Sequence, residues 1–455
     1  MVKVSPRAIN RLRLDDLFVK EQDLFVSRHP RSQELSVKAR EHLLSGVPMP
    51  WMVRWPGPFP LFVDTAEGST FVDVDGLSYV DFCLGDTGAM TGHALTQVAD
   101  AIANTARKGI TTMLPNDDGI WVAEELTRRF GMAKWQFAMT ATDANRFVLR
   151  YARALSGRPK IAVMDWCYHG TVDETLVIRD AEGGTISRPG ALGPPVDPEL
   201  TTVSVPFNDL DVLEQALSRG DVACVLMEPA LTNIGIVLPD DGYLEEVRRI
   251  TRAYGVYLTI DETHTICAGP GGCTQAWSLD PDFFVIGKPI GGGMPAAVYG
   301  MSANVARDIE SSLSADDIDV SGVGGTLTGN ALALAAVRAT LSSTLREQDF
   351  DLMIPLATRW AHGVQSVIEE FSLDWHVQQL GCRAEYWFCP PPRNGAEAAR
   401  NIDHELDAYL HLYALNRGFL LTPFHNMALF SPFHNLQQVD AHTEMFRSAV
   451  KSLLI

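Results

Sequence analysis

Four short apolar runs restrict the fold more than any other feature of this 455-residue sequence: KIAVMDW (160–166), VACVLMEP (222–229), VYLTIDE (256–262) and FFVIGK (283–288). None shows the polar alternation of a strand with one wet face, and continuous runs of this kind suit strands covered on both sides. Between the second and third, YLEEVRRITRAY puts Tyr243, Leu244, Val247, Ile250 and Tyr254 on one helical stripe. That is a strand–helix–strand unit, and it predicts an α/β fold whose mostly parallel sheet carries helices on both faces.

The flanks read differently. The first fifty residues are helical with mixed charge and end at VPMPWMVRWPGPFP, after which FVDVDGLSYVDF alternates about Asp75-Gly76 as a hairpin does. Beyond residue 331 the pattern is helical again, with short strand candidates at AEYWFC and GFLLTP, and RPGALGPPVDPEL (188–200) reads as a surface loop. The expected organisation is an N-terminal segment over 1–85, a large domain over 86–330, and a C-terminal part over 331–455 that joins the N-terminal segment in a smaller α+β domain.

Composition removes several function classes. A formal net charge of −19 argues against a binder of nucleic-acid backbones, which needs a basic face. No apolar stretch nears the roughly 20 residues that span a bilayer, so no membrane partner is expected. MVKVSPRAINRLRLDD lacks the apolar centre of a signal peptide, and its acidic residues argue against a transit peptide. The seven cysteines (83, 167, 224, 267, 273, 382 and 389) are odd in number and without CxxC spacing, so neither a disulfide framework nor a metal site is expected. They suit buried positions in a reducing cytoplasm.

Each apolar run ends in an unusual polar residue: Tyr168-His169, Glu228, Asp261-Glu262 and Lys288. In open parallel sheets ligands bind beyond the carboxyl ends of the strands, so these residues should converge. A single such residue is most often a strand end reaching water; four in register, one of them a lysine, are not. Lys288 stands in the mouth of an apolar run, close before Gly291, Gly292 and Gly293. Burying an ammonium is costly, and a lysine kept there has chemical work to do. Upstream, FAMTATDANR reads as a strand, then Thr140, Ala141 and Thr142, then a helix whose first amides can hold an anion. GVGGTLTGNALALAAVRA, with Thr326, is a second Gly-rich lead into a helix. A Schiff-base lysine, a carboxylate and a phosphate cradle are the requirements of pyridoxal phosphate.

At these residues the sequence resembles the class III aminotransferases, pyridoxal-phosphate enzymes of fold type I, from about residue 55 to the C-terminus. It looks nearest the branch of glutamate-1-semialdehyde aminomutase and the β-amino-acid aminotransferases. FAMTATDAN lies over the family's Ser-Gly-Thr-Glu-Ala phosphate motif, EPALTNIGIVLP over its Glu-Pro strand and loop, IDETHT over Asp-Glu-Val, and GKPIGGGMP over its lysine motif. The resemblance implies a mostly parallel seven-stranded sheet flanked by helices. It makes Lys288 the residue linked to the cofactor aldehyde, and the carrier of protons afterwards. Asp261 would face the pyridine nitrogen, a pairing of about 4 kcal/mol at an effective dielectric near 20. Tyr168 would stack on the ring with His169 beside it, and Thr263 would replace the valine usual on the other face. Thr140, Ala141 and Thr142 would cradle the phosphate, Thr326 would reach that of the neighbouring subunit in a homodimer with shared active sites, and Glu228 and Asn233 would sit near the 3-oxygen and the substrate. Two departures stand out: Ala141 replaces the phosphate-loop glycine and requires a negative φ, and His264 is not a usual residue at its position.

Relatives commonly grip a substrate carboxylate with a C-terminal arginine. The comparable stretch LLTPFHNMALFSPFHN has none and offers His425 instead. Arg54 is then the expected clamp, ahead of Arg146 and Arg383, with Trp51, Trp55 and Phe59 expected to wall an apolar pocket beside it. The resulting expectation is an aminotransferase moving an amino group from an amine or a β- or ω-amino acid to a keto acid such as pyruvate. The alternative is an aminomutase of the glutamate-1-semialdehyde kind, or a racemase, on the same scaffold.

Overall fold

The protein, as a computed structural model, is described over residues 9–193, 196–312 and 320–454. Two units are set out in turn.

Thr96–Gln348 together with Pro392–Arg400 make the larger unit. Its seven-stranded sheet contains β4 (Lys134–Ala138), β5 (Lys160–Met164), β8 (Thr202–Val205), β9 (Val222–Met227), β10 (Tyr257–Asp261), β11 (Phe283–Ile286) and β12 (Ala297–Met301). The order is β4-β12-β11-β10-β9-β5-β8. All pairs are parallel except those of β12, which runs against both β11 and β4. A small hairpin, β6 (Val177–Arg179) with β7 (Thr185–Ser187), lies apart from it. The four apolar runs are β5, β9, β10 and β11, and every residue of β9 and β11 is buried. Fully burying each such Val, Leu, Ile or Phe is worth about 1.5–3 kcal/mol, which is why these strands carry no polar alternation. Helix Tyr243–Ala253 buries Tyr243, Leu244, Val247 and Ile250 of the stripe expected, with Tyr254 half-buried at its C-cap, and packs on β10. Helix Ala141–Ser156 packs on β4, β9, β11 and β12. The loop over 188–200 includes a 3-10 turn at Pro198–Leu200, and Pro194 and Pro195 lie outside the described residues.

The smaller unit takes in Met1–Leu95, Asp349–Pro391 and Asn401–Ile455. One sheet, β1 (Val63–Glu67), β2 (Thr70–Asp73) and β3 (Ser78–Asp81), is antiparallel and gains β15 (Phe419–Leu420) in parallel beside β3. A second joins β13 (His376–Leu380), β14 (Arg383–Trp387) and β16 (Met427–Leu429), all antiparallel. β14 and β15 are the strands expected at AEYWFC and GFLLTP. The β2–β3 turn follows from its sequence: Oδ1 of Asp73 accepts the amides of Asp75 and Leu77, each at 2.9 Å, and Gly76 takes φ +82°. Phe25, Phe59, Phe71, Tyr79, Leu412 and Leu415 form a core shared by the N- and C-terminal segments. Among the described residues no helix is long and apolar enough to cross a membrane.

Candidate active site

β5, β9, β10 and β11 run in one direction, and two successive antiparallel pairings turn β4 the same way. Their carboxyl ends share one edge of the sheet. Thr140, Tyr168 and His169, Glu228, Asp261 and Lys288 all follow from that edge.

Asp261 closes β10 and is buried. Its Oδ2 accepts Nδ1–H of His169 and Nδ2–H of Asn145, each at 2.9 Å, and its Oδ1 accepts the Thr263 amide at 3.0 Å. Burial alone would raise the carboxyl. The hydrogen bond and charge of His169, helped by Thr263 and Asn145, outweigh it and bring the group down to about 2. Burial likewise opposes the imidazolium, yet the nearby Cys167 sulfur and the Asp261 carboxylate hold His169 well above the ordinary histidine value. Asn145 also donates to the His169 carbonyl at 3.2 Å, so one amide fixes both members of the pair. A carboxylate offers about four acceptor positions, and these contacts fill three. The remaining one on Oδ1 suits the N–H of a protonated heteroaromatic ring, which is what a pyridoxal ring presents.

Lys288 follows β11 through Gly287, with a left-handed φ of +48°. An ordinary side chain there costs on the order of 1 kcal/mol, so the surroundings over-determine the residue. A Cβ on Gly287 would come within 3.1 Å of the Ala141 Cβ and 3.2 Å of its amide nitrogen, so the glycine eases the close approach of the lysine loop to the start of helix Ala141–Ser156. Nζ of Lys288 lies 2.5 Å from Nε2 of His264. Nδ1 of His264 is 2.8 Å from the Thr232 hydroxyl, which donates to Oε2 of the buried Glu228.

Thr140 caps helix Ala141–Ser156, its hydroxyl accepting the Asp143 amide at 3.3 Å. Ala141 begins the helix and is not among the residues in the left-handed region, which meets the condition set by its replacing glycine. The Thr142 hydroxyl accepts the Thr171 amide at 3.0 Å, and a Cβ on Gly170 (φ +80°) would fall 2.1 Å from that hydroxyl. The first turn of the helix thus sits directly against the Tyr168–Thr171 turn. Tyr168 is half-buried, and Thr263 is buried with Oγ1 lacking a hydrogen-bond partner among the described residues. Thr326 is exposed and lines a cavity of about 220 Å³ with Thr111–Pro115, Gly325 and Thr328–Ala331. Arg146, about one turn beyond Thr142, donates to the Thr171 carbonyl at 2.8 Å, and Asn233 is half-buried.

The remaining expected substrate residues belong to the smaller unit. Arg54 and Trp51 are exposed in the 3-10 turn Pro50–Arg54, and Trp55 is half-buried. Phe59 packs on Phe25 at 5.1 Å. His425 is buried with Nδ1 3.2 Å from Glu385, whose other oxygen is 3.6 Å from the fully buried Arg383.

Sequence reasoning missed three residues. Asn145 carried a signal, a lone amide on the otherwise apolar buried face of an amphipathic helix. Thr232 carried none. Glu262, expected only as part of the strand end, is fully buried and accepts from the Thr274 amide and hydroxyl (2.5 and 2.6 Å), the Thr265 hydroxyl (2.5 Å) and the Cys273 amide (3.2 Å). It fastens the 262–274 loop; Gly272 has no Cβ because one would lie 2.5 Å from that carboxylate.

Three comparisons bear on this arrangement. The family model for aminotransferase class-III matches residues 52–353. A glutamate-1-semialdehyde 2,1-aminomutase of Methanothrix thermoacetophila is 32% identical over 92% of this chain and 96% of its own. Among solved structures, a glutamate-1-semialdehyde aminomutase from Pseudomonas aeruginosa PAO1 is similar with a TM-score of 0.96 and 48% identity, over 98% of this chain and all (100%) of that one, and a lysine-to-alanine form of it was solved in complex with PMP. An omega-transaminase from Sphaerobacter thermophilus follows at a TM-score of 0.85 and 26% identity, over 94% and 99% of the two chains.

Proposed function

Because the chain belongs to the class III aminotransferase family and takes pyridoxal 5′-phosphate as its cofactor, we propose that it is an aminomutase. It moves an amino group between neighbouring carbons of one small carboxylated amino aldehyde of the glutamate-1-semialdehyde kind. The observation that carries this reading is the 48% identity, over nearly the whole of both chains, with a protein described as such an aminomutase. The amine-to-keto-acid transamination expected first takes second place, supported by the 26% identical omega-transaminase.

The cofactor supplies an electron sink for the carbon that bears the amino group. In this proposal Asp261, kept ionised by His169 and Asn145, faces the ring nitrogen and favours a proton there. Thr140, Ala141 and Thr142 hold the phosphate through the first amides and hydroxyls of their helix, while Tyr168 and Thr263 flank the ring. Lys288 would hold the cofactor through its Nζ and would be the side chain that carries a proton at the substrate carbon, with Glu228 and His264 behind it. Thr326 serves the neighbouring subunit of a homodimer. Arg54, Trp55, Asn233 and His425 are the residues assigned to the substrate. A cytoplasmic setting is part of the same reading, supported by seven buried cysteines with no disulfide.

The experiment is a turnover assay with glutamate-1-semialdehyde as sole substrate. Formation of the isomer without any added keto acid is expected. Amino transfer that starts only when a keto acid such as pyruvate is supplied, releasing a new amino acid, would establish the transaminase instead.

A further inference from the structure

His264 occupies a position where its two ring nitrogens do different work. Nε2 meets the Lys288 amine at 2.5 Å, and Nδ1 meets the Thr232 hydroxyl at 2.8 Å. That hydroxyl donates to Oε2 of Glu228, which itself lies 3.6 Å from Nδ1. For a neutral imidazole, one assignment of protons satisfies the whole row. The carboxylate can only accept, so the Thr232 proton points to it, and the Thr232 oxygen is left to accept from Nδ1–H. The imidazole is then the tautomer with a bare Nε2, aimed at the lysine. All four residues sit on ends of adjoining strands: Glu228 and Thr232 after β9, His264 after β10 and Lys288 after β11. Glu228 and His264 are buried at 2% and 5% exposure, so this directional row is little screened by water.

From this geometry we infer that His264 is a positioning residue for Lys288 that also takes its proton, held in the receptive tautomer by Thr232 and Glu228. The inference rests on Lys288 being the lysine that captures the cofactor. An ammonium cannot add to an aldehyde; the amine must first be freed. The Lys288 ammonium passes one proton to Nε2 and becomes the neutral amine. The imidazole becomes a cation beside the Thr232–Glu228 end of the row, and the total charge of the group does not change. Other ionisable groups on the strand ends include Tyr168, Asp261 with His169, Glu262, Cys267 and Cys273. Glu262 is occupied with the 265–274 backbone and hydroxyls, and Asp261 with His169 and Asn145. The Glu228 carboxylate, 3.6 Å from Nδ1, acts on His264.

The test uses protein freed of cofactor, so that it reads the amine and not turnover. Pyridoxal 5′-phosphate is added at a series of pH values, the adduct is fixed with borohydride, and the modified peptide is identified by mass spectrometry. Wild type is expected to be labelled at Lys288. Undiminished labelling of Lys288→Ala overturns the lysine assignment itself, whatever His264 does. With Lys288 labelled, His264→Gln is expected to need a pH about one unit higher for half-maximal labelling rate, which is about tenfold slower capture near neutrality. Glutamine keeps a polar atom in the space but cannot take up a proton, so a wild-type pH profile in a folded His264→Gln protein overturns the inference. Should that variant not fold, nitrogen NMR of labelled histidine in the cofactor-free wild type decides: a protonated Nδ1 with bare Nε2 is expected, and the reverse tautomer overturns it.

Discussion

Nδ1 of His169 stands 2.9 Å from Oδ2 of Asp261, with the two side chains 0% and 4% exposed. Few pairs in the molecule are as fully withdrawn from water, and each holds the other in its charged form. In a dry site an unpartnered carboxylate takes up a proton, so the charge at the end of β10 depends on a residue at the end of β5.

His169→Phe is therefore expected to destabilise the protein by about 3 kcal/mol, the range for leaving one member of a buried pair alone. Denaturant unfolding of the cofactor-free protein measures it. Cofactor retention after dialysis should fall as well, because Asp261 rises once burial is unopposed. Retention and stability equal to wild type would show that Asn145 and Thr263 suffice.

Lys288→Ala should fold and still bind the phosphate end of the cofactor, since Thr140, Ala141 and Thr142 are untouched. Turnover should drop below detection, and no adduct at residue 288 should survive borohydride. Measurable turnover by a folded Lys288→Ala protein refutes the assignment.

Gly170→Ala combines a left-handed φ with a Cβ placed 2.1 Å from the Thr142 hydroxyl. It should lower stability by about 2 kcal/mol or more and weaken cofactor binding, because Thr142 has to move. Gly131→Ala is the control: φ is +74° and nothing lies within 4 Å of the added carbon. It should cost only about 1 kcal/mol and leave cofactor binding unchanged. Thermal unfolding and spectroscopic titration with the cofactor separate the two effects.

Acid should weaken the smaller unit before it reaches Asp261. Burial pushes His411 and His434 down to about 4 and His442 to about 3, from an ordinary 6.5. A folded value below the unfolded one means that unfolding takes up a proton, so this stability is lost as pH falls from 6.5 towards 4. Asp407 works the other way. Burial raises it to about 7, so it takes up its proton in the folded state and gains stability on acidification until about 3.8, its ordinary value. Three imidazoles against one carboxyl leave a little under two protons, a slope of about 2 kcal/mol per pH unit between 6 and 4. The Asp261 contribution, with a folded value near 2, is lost only below about 4. Unfolding midpoints measured from pH 7 to 4 check the slope; a flat profile refutes it.

The sheet was legible where composition alone decided burial. β9 and β11 are apolar without interruption, β5 after Lys160 and β10 but for Thr259 and its closing Asp261, and the Asp75-Gly76 turn announces its hairpin. β8 and β12 were not read, because Thr202 and Ser204 dilute the first and Gly300 thins the second; their places are fixed by neighbours, not by local preference. The polar strand ends were legible for the same reason as the strands, since a charge after an apolar run is conspicuous. Asn145, Thr232 and the tie from Glu262 to residues 273–274 were not. Each acts through a partner from another loop or strand, and nothing in the local pattern states which side chain will arrive opposite. Gly287 and Gly170 lie between: the sequence displays the glycine, but the atom that forbids a Cβ comes from elsewhere.

The reversed strand β12 has a consequence for how the polypeptide is made. β4 has β12 as its sole neighbour in the sheet, with Ala138 facing Ala297 and Lys134 facing Met301. The ribosome must add about 160 residues after β4 before that neighbour exists, a delay of about ten to thirty seconds at ordinary synthesis rates. Throughout that interval the Lys134–Ala138 strand, with buried Trp135 and Ala138 and leading into Thr140, lacks this neighbour, and β12 both completes the enzyme's sheet and ends the nascent chain's exposure to wrong partners.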